Sequence, residues 1–171
     1  AVADLEGNGR PDVLTAVAAS VPSQSFLSAR LQQASAPGTF APPARSSTAQ
    51  FPSAIAVGDV NGDGLPDVAV ADAGGASGAH AAWVQLQVAA TPGSFATPIA
   101  LPVGTLVPRG ISLADLDADG KLDVVVAASG ASAVQVFFQT AAAGSFGAPV
   151  AFPVGGEPTA VAAADLTGSG R

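Results

Sequence analysis

A short acidic loop that returns at regular intervals constrains this chain more than any other feature. Asp59-Val60-Asn61-Gly62-Asp63-Gly64-Leu65-Pro66-Asp67 is matched by Asp115-Leu116-Asp117-Ala118-Asp119-Gly120-Lys121-Leu122-Asp123 and by Asp4-Leu5-Glu6-Gly7-Asn8-Gly9-Arg10-Pro11-Asp12. A fourth copy begins as Asp165-Leu166-Thr167-Gly168-Ser169-Gly170-Arg171. The period is 50 to 56 residues, in the range of propellers and solenoids. Gly38-Thr39-Phe40, Gly93-Ser94-Phe95 and Gly144-Ser145-Phe146 recur as well, each followed by a proline at Pro42, Pro98 or Pro149. Leu101-Pro102-Val103-Gly104 pairs in the same way with Phe152-Pro153-Val154-Gly155. Matches at so many offsets are homology within the chain. They divide it into repeats of approximately 1–52, 53–108 and 109–157, with a partial fourth at 158–171.

Within a period, apolar residues are spaced by two, as a half-buried strand requires and a helix does not. Ala54-Ile55-Ala56-Val57 precedes the loop and Val68-Ala69-Val70-Ala71 follows it. Trp83-Val84-Gln85-Leu86-Gln87-Val88 alternates, and Ile99-Ala100-Leu101-Pro102-Val103 ends the unit. Proline in that last segment suits an outer edge, where a missing N–H costs no ladder bond. Small alanines around the loop suit a crowded centre. The runs Ala141-Ala142-Ala143 and Ala162-Ala163-Ala164 have helical propensity but are short and sit beside Gly or Asp. Gly74-Gly75-Ala76-Ser77-Gly78 reads as a loop between strands. Four strands per repeat predict an all-β fold of three four-stranded β-propeller blades, part of a larger or oligomeric propeller. A β-solenoid normally has shorter repeats.

Composition narrows the function. Of 171 residues 49% are hydrophobic and 11% charged, so the chain buries much of itself. A net charge of −7 argues against nucleic acid or anionic lipid as partner. With no cysteine, disulfides, thiolate zinc sites and cysteine nucleophiles are excluded. Gly, Pro, Ser and Asp interrupt every apolar run before the roughly 20 residues a membrane-spanning helix needs, so no membrane insertion is expected. A start at Ala1 rather than Met suggests a piece of something longer.

Eleven of the 13 acidic residues lie in the four loops; only Asp72 and Glu157 are elsewhere. In the second loop, oxygen-bearing side chains occupy positions 1, 3, 5 and 9, and glycines at 4 and 6 permit the tight turn. Two carboxylates about 4 Å apart repel by roughly 4 kcal/mol at an effective dielectric near 20, so a cation is expected among them. All donors are oxygens, which points to a hard ion, and Ca²⁺ with six to eight flexible ligands fits better than Mg²⁺. The expected ligands are Asp59, Asn61, Asp63 and Asp67 with the carbonyl of Leu65, and Asp115, Asp117, Asp119 and Asp123 with the carbonyl of Lys121. The first loop offers Asp4, Glu6, Asn8 and Asp12 with the carbonyl of Arg10. In the fourth, Thr167 and Ser169 replace carboxylates, so no site is expected there. About three structural ions would bring six positive charges against −7. An EF-hand would need a bidentate Glu at position 12, which here is Thr15, Val70 or Val126. A plain hairpin turn needs only two Asn/Asp-Gly residues and leaves the other carboxylates without a purpose.

The order Gly-x-Phe, Pro, Val-Gly, Asp-x-Asn-x-Asp-Gly-x-x-Asp, Val-rich strand resembles the FG-GAP/VCBS repeat of integrin-α-like calcium-binding β-propellers. The resemblance implies a Ca²⁺ loop joining the first two strands of each blade. It also implies a secreted or cell-surface setting, where millimolar Ca²⁺ fills even weak sites. Family propellers commonly close with about seven blades and this chain supplies three, so open blade edges invite association. No nucleophile, phosphate loop or acid–base pair stands out, and no enzyme is expected. His80, the single histidine, reads as a strand-edge residue, Arg109 as a rim residue, and Trp83, Phe40, Phe95 and Phe146 as packing residues. Trp83 could alternatively stack on a sugar. The expected function is a non-enzymatic extracellular binding module for a glycan or protein ligand, adhesion or lectin-like. The alternatives are a structural element that assembles with itself through open blade edges, as a homo-oligomer or with further blades of a longer chain, or an accessory domain of a secreted enzyme.

Overall fold

The computed structural model describes residues 1–19, 24–48, 50–74, 80–130 and 132–167. Twelve strands among them form three antiparallel meanders, each of four strands in sequence order. The first sheet holds β1 (Val2–Ala3), β2 (Asp12–Val17), β3 (Phe26–Arg30) and β4 (Ala44–Ser47). The second holds β5 (Pro52–Gly58), β6 (Asp67–Asp72), β7 (Ala81–Gln85) and β8 (Ile99–Pro102). The third holds β9 (Val107–Ala114), β10 (Asp123–Ser129), β11 (Ala133–Phe137) and β12 (Val150–Pro153). These are the three four-stranded blades that the repeat predicts, and they do not close a ring.

Alternation along β6 explains how the blades stack. Val68 and Val70 face the first blade and pack with Leu5, Leu14, Leu27 and Ala29. Ala69 and Ala71 face the third and pack with Val60, Ile111, Val124, Val126 and Phe137. A strand covered on both faces reads as a continuous apolar run, and all six residues of β6 are buried. Each outermost strand leaves more of itself in water; β12 is exposed throughout. Pro102 and Pro153 lie on those outer strands. Trp83 and Phe95 pack into the first seam and Phe146 into the second.

Glycine marks where blades approach most closely. A Cβ on Gly58 would come within 2.7 Å of Leu122 Cδ1 in the next blade. At Gly93 the backbone has φ +77° and a Cβ would meet Ala29 Cβ of the first blade at 2.9 Å. The Gly-x-Phe motif therefore turns the chain with a left-handed residue and keeps the seam closed at the same point. The phenylalanines then return to the sheet through the bridges Gln32↔Phe40, Gln87↔Phe95 and Gln139↔Phe146.

Some sequence expectations shift. The alternation from Trp83 to Val88 outruns its strand, which ends at Gln85 because the chain turns after it to make the Gln87 bridge. Residues 141–143 form a turn and 162–164 run without regular structure, Ala160 lying against Gly110 of β9. Gly75–Gly78 and Gly168–Arg171 fall outside the described residues. Asp72, outside the acidic loops, is buried and accepts the N–H groups of Gln50, Phe51 and Gly74, fixing the chain as it enters the second blade. Substituting Gly93→Ala should cost about 2–4 kcal/mol, the sum of left-handed strain and seam overpacking, read from the urea midpoint; Gly38→Ala, at φ +80° with open space around it, should lose only the strain part.

Candidate metal centre

Each acidic loop joins the first and second strands of a blade, whose pairing brings its ends together at Ala3↔Asp12, Gly58↔Asp67 and Ala114↔Asp123. Its first aspartate nucleates the turn. Asp4 accepts the N–H groups of Glu6, Asn8 and Gly9, Asp59 those of Gly62, Asp63 and Gly64, and Asp115 those of Asp119 and Gly120. The fifth-position side chains bond two residues on: Asn8 to Arg10 N, Asp63 to Leu65 N and Asp119 to Lys121 N. Gly7, Gly9, Gly62, Gly64 and Gly120 all have positive φ, and so does Ala118 (φ 63°), the one non-glycine at position 4.

The ninth-position aspartate has a different environment. Asp12, Asp67 and Asp123 are at most 1% exposed. One oxygen of each accepts the second loop residue's N–H, from Leu5 (2.8 Å), Val60 (2.9 Å) or Leu116 (2.9 Å). The other accepts an N–H just beyond the third strand, from Gln32 (2.7 Å), Gln87 (2.7 Å) or Gln139 (2.9 Å). Each therefore ties three strands together at one end of the blade. Asp67 Oδ2 also accepts the Asn61 N–H (3.3 Å), and every one of the three carboxylates keeps at least one lone pair on its other oxygen, so this bonding leaves ligation open. Burial pushes the Asp67 and Asp123 carboxyls above the usual carboxylate range despite those hydrogen bonds. At the exposed rim, Asp4 is lowered by the backbone N–H of Asn8, and Asp119 by its ion pair with Lys121.

Among the described residues, the third loop brings carboxylates closest, with Asp115, Asp117 and Asp123 oxygens within 4.8 Å of one another. The first and second loops arrange the same positions around hydrogen-bonded turns, with side-chain pairs Asn8–Glu6 (2.7 Å) and Asn61–Asp63 (2.9 Å). Elsewhere, His80 Nδ1 donates to the Ala73 carbonyl (2.7 Å) at the entrance to β7, and Arg109 lies exposed on β9. Three further residues, Gln32, Gln87 and Gln139, belong to the site although nothing in the acidic motif singles them out. Gln87 Nε2 donates to the Leu5 carbonyl and Gln139 Nε2 to that of Val60, both at 3.0 Å and both across a seam. Their recurrence between the acidic loop and the Gly-x-Phe motif of each repeat, 20, 20 and 16 residues after Asp12, Asp67 and Asp123, was the available signal.

Looped meanders of this kind, stacked through their first strands and carrying acidic turns between strands one and two, define a blade-repeat protein. The FG-GAP-like repeat model matches residues 4–70 and 115–171, and the chain belongs to that family, whose repeats are β-propeller blades. A search of curated proteins finds no significant match.

Two outcomes separate the loop positions. Asp67→Ala should lower stability by roughly 3 kcal/mol even in chelator, because the buried N–H groups of Val60 and Gln87 and the part-buried one of Asn61 lose an ionised acceptor, whereas Asp63→Ala in chelator should stay within about 0.5 kcal/mol. The pH dependence follows from Asp67 and Asp123. Their protons are held more tightly in the folded chain than in the unfolded one, where the pKa is near 3.8. The part of the ion-free stability carried by these two groups should therefore fall as pH rises above that value and level off once both ionise in the fold, opposite in sign to the part carried by Asp4 and Asp119, as urea titrations in chelator at a series of pH values would show when the chain is compared with its Asp67→Asn and Asp123→Asn variants.

Proposed function

We propose that the chain is a calcium-stabilised, non-enzymatic binding module that works outside the cell or at its surface. The observation that carries this reading is the third loop, where the oxygens of three carboxylates, Asp115, Asp117 and Asp123, come within 4.8 Å of one another while Lys121 pairs with Asp119. Mutual repulsion at such distances costs roughly 3–4 kcal/mol per pair at an effective dielectric of about 20, and a divalent ion removes it. The residues fit Ca²⁺: Asp115, Asp117, Asp119 and Asp123 with the Lys121 carbonyl in the third loop, and Asp59, Asn61, Asp63 and Asp67 with the Leu65 carbonyl in the second. Asp4, Glu6, Asn8 and Asp12 with the Arg10 carbonyl would serve the first. The ion's part is to bring positive charge to the turn; the turn's part is to hold the first two strands of a blade together.

Membership of the FG-GAP-like family supports an extracellular or surface setting, and among the described residues no helix is long and apolar enough to cross a membrane. The ligand in this reading is a glycan or another protein, met by the exposed rims of the blades. Calcium should raise the melting temperature by at least about 5 °C over the chelated protein, and elemental analysis should find bound calcium, one equivalent of which is lost in Asp115→Ala. An unchanged melting temperature with no bound calcium rejects the calcium part, and the glycan part fails if the calcium-loaded chain retains nothing on a glycan array.

A further inference from the structure

We propose that Lys121 guards the third acidic loop: its ammonium holds Asp119 apart from the other three carboxylates, and a divalent cation takes all four only by displacing it. The guard rests on the calcium-binding role proposed above and adds to it the side chain that sets the affinity of one loop.

The three loops close their rims with different donors. In the first, Asn8 Nδ2 donates to Glu6 Oε2 (2.7 Å), and in the second Asn61 Nδ2 donates to Asp63 Oδ2 (2.9 Å). Positions 3 and 5 are thus one carboxylate and one amide in both, and the neutral amide supplies the closing bond. The third loop has carboxylates at both positions, Asp117 and Asp119, and no amide to set between them. Lys121 takes that part. Its backbone N–H donates to Asp119 Oδ1 and its Nζ to Asp119 Oδ2, so one residue occupies both oxygens of that carboxylate. The consequence is visible in the cluster: oxygens of Asp115, Asp117 and Asp123 lie within 4.8 Å of one another, and Asp119 stands outside their group. The hydrogen bond to Asp119, and after it the charges of Asp119, Asp117 and Asp115, hold the Lys121 proton more tightly than usual, so the ammonium faces the whole rim.

Position 7 separates the loops further. It is Arg10, Leu65 and Lys121 in turn. The Arg10 guanidinium lies 3.7 Å from Glu6 and donates through Nε to the Gln32 carbonyl (3.4 Å), whereas Leu65 brings no charge. By carboxylates alone the third loop, with four, should bind a divalent cation more tightly than the second, with three, because ligand charge tunes Ca²⁺ affinity. Four carboxylates less one ammonium leave −3, which equals the second loop's three carboxylates. Release needs no backbone movement. The Lys121 side chain is 32% exposed and borders a hollow of about 190 Å³ shared with Asp59, Asn61 and Gly120, so the ammonium has room to leave while the Lys121 carbonyl stays in the turn.

Calcium titrations followed at the amide resonances of Gly64 and Gly120 read the second and third loops separately. Lys121→Leu, which gives the third loop the second loop's residue at position 7, should bring the Gly120 midpoint to about one-tenth of the parent's calcium concentration, the factor expected for one unit charge beside a divalent ion in water. Arg109→Leu removes the same charge about 20 Å away along β9, beyond a Debye length, and should leave both midpoints in place. Lys121 is also the single lysine of the chain, so an amine-reactive ester followed by peptide mass spectrometry reports its release: acylation should be several-fold faster with calcium than in chelator. A Gly120 midpoint unmoved by Lys121→Leu, or moved equally by Arg109→Leu, overturns the guard and leaves calcium binding intact, as does an acylation rate that calcium does not raise. If neither resonance responds to calcium in the parent or the variants, the calcium reading itself fails and the guard falls with it.

Discussion

Everything in the fold depends on one buried carboxylate per repeat. Asp12, Asp67 and Asp123 each take the N–H of the loop's second residue and one from beyond the third strand, and Asp67 takes that of Asn61 as well, an arrangement that a charged acceptor makes about twice as strong as a neutral one would. Without it, the loop's second residue could not be aimed at the neighbouring blade, and the glutamine that grips the loop carbonyl would lose its own anchor. The acidic turn therefore has two halves with different jobs: an exposed rim that gathers charge and a buried foot that sets blade geometry.

That division explains how one short sequence serves both stability and stacking. The foot aims Leu5 and Val60 into the seams, where burying each contributes about 2 kcal/mol, and Gln87 and Gln139 fix their carbonyls in place. Stability in such arrays is a sum of unit and nearest-neighbour terms. The second blade, covered on both sides, has an inner strand buried from end to end, whereas in the first blade Thr15 of β2 is exposed.

Much of the candidate site was legible in the residues. Oxygen-bearing side chains at odd positions with glycines between them can only be a tight turn, and flanking alternation can only be strands, so loop, blade and family resemblance could be read directly. The two roles of the aspartates could not. Positions 1 and 9 carry the same residue, yet Asp115 lies at the rim and Asp123 is buried, because only the second faces the end of the third strand. The glutamines escaped notice for a related reason: an amide in an alternating strand looks like any solvent-facing polar residue until a carbonyl from another blade is brought to it.

The amino-acid order by itself determined the period, the four strands of each blade, the chemistry of the turns and the small residues on the inner strands, because each of these is a local pattern with a local physical cause. Tertiary structure alone decided which of four homologous residues are buried. Leu5, Val60, Leu116 and Leu166 stand at one position of one motif, and their exposures are 0%, 2%, 43% and 92%. The difference lies in the neighbour and not in the residue: a side chain is removed from water only when a following blade arrives to cover it, and no single repeat encodes how many blades follow.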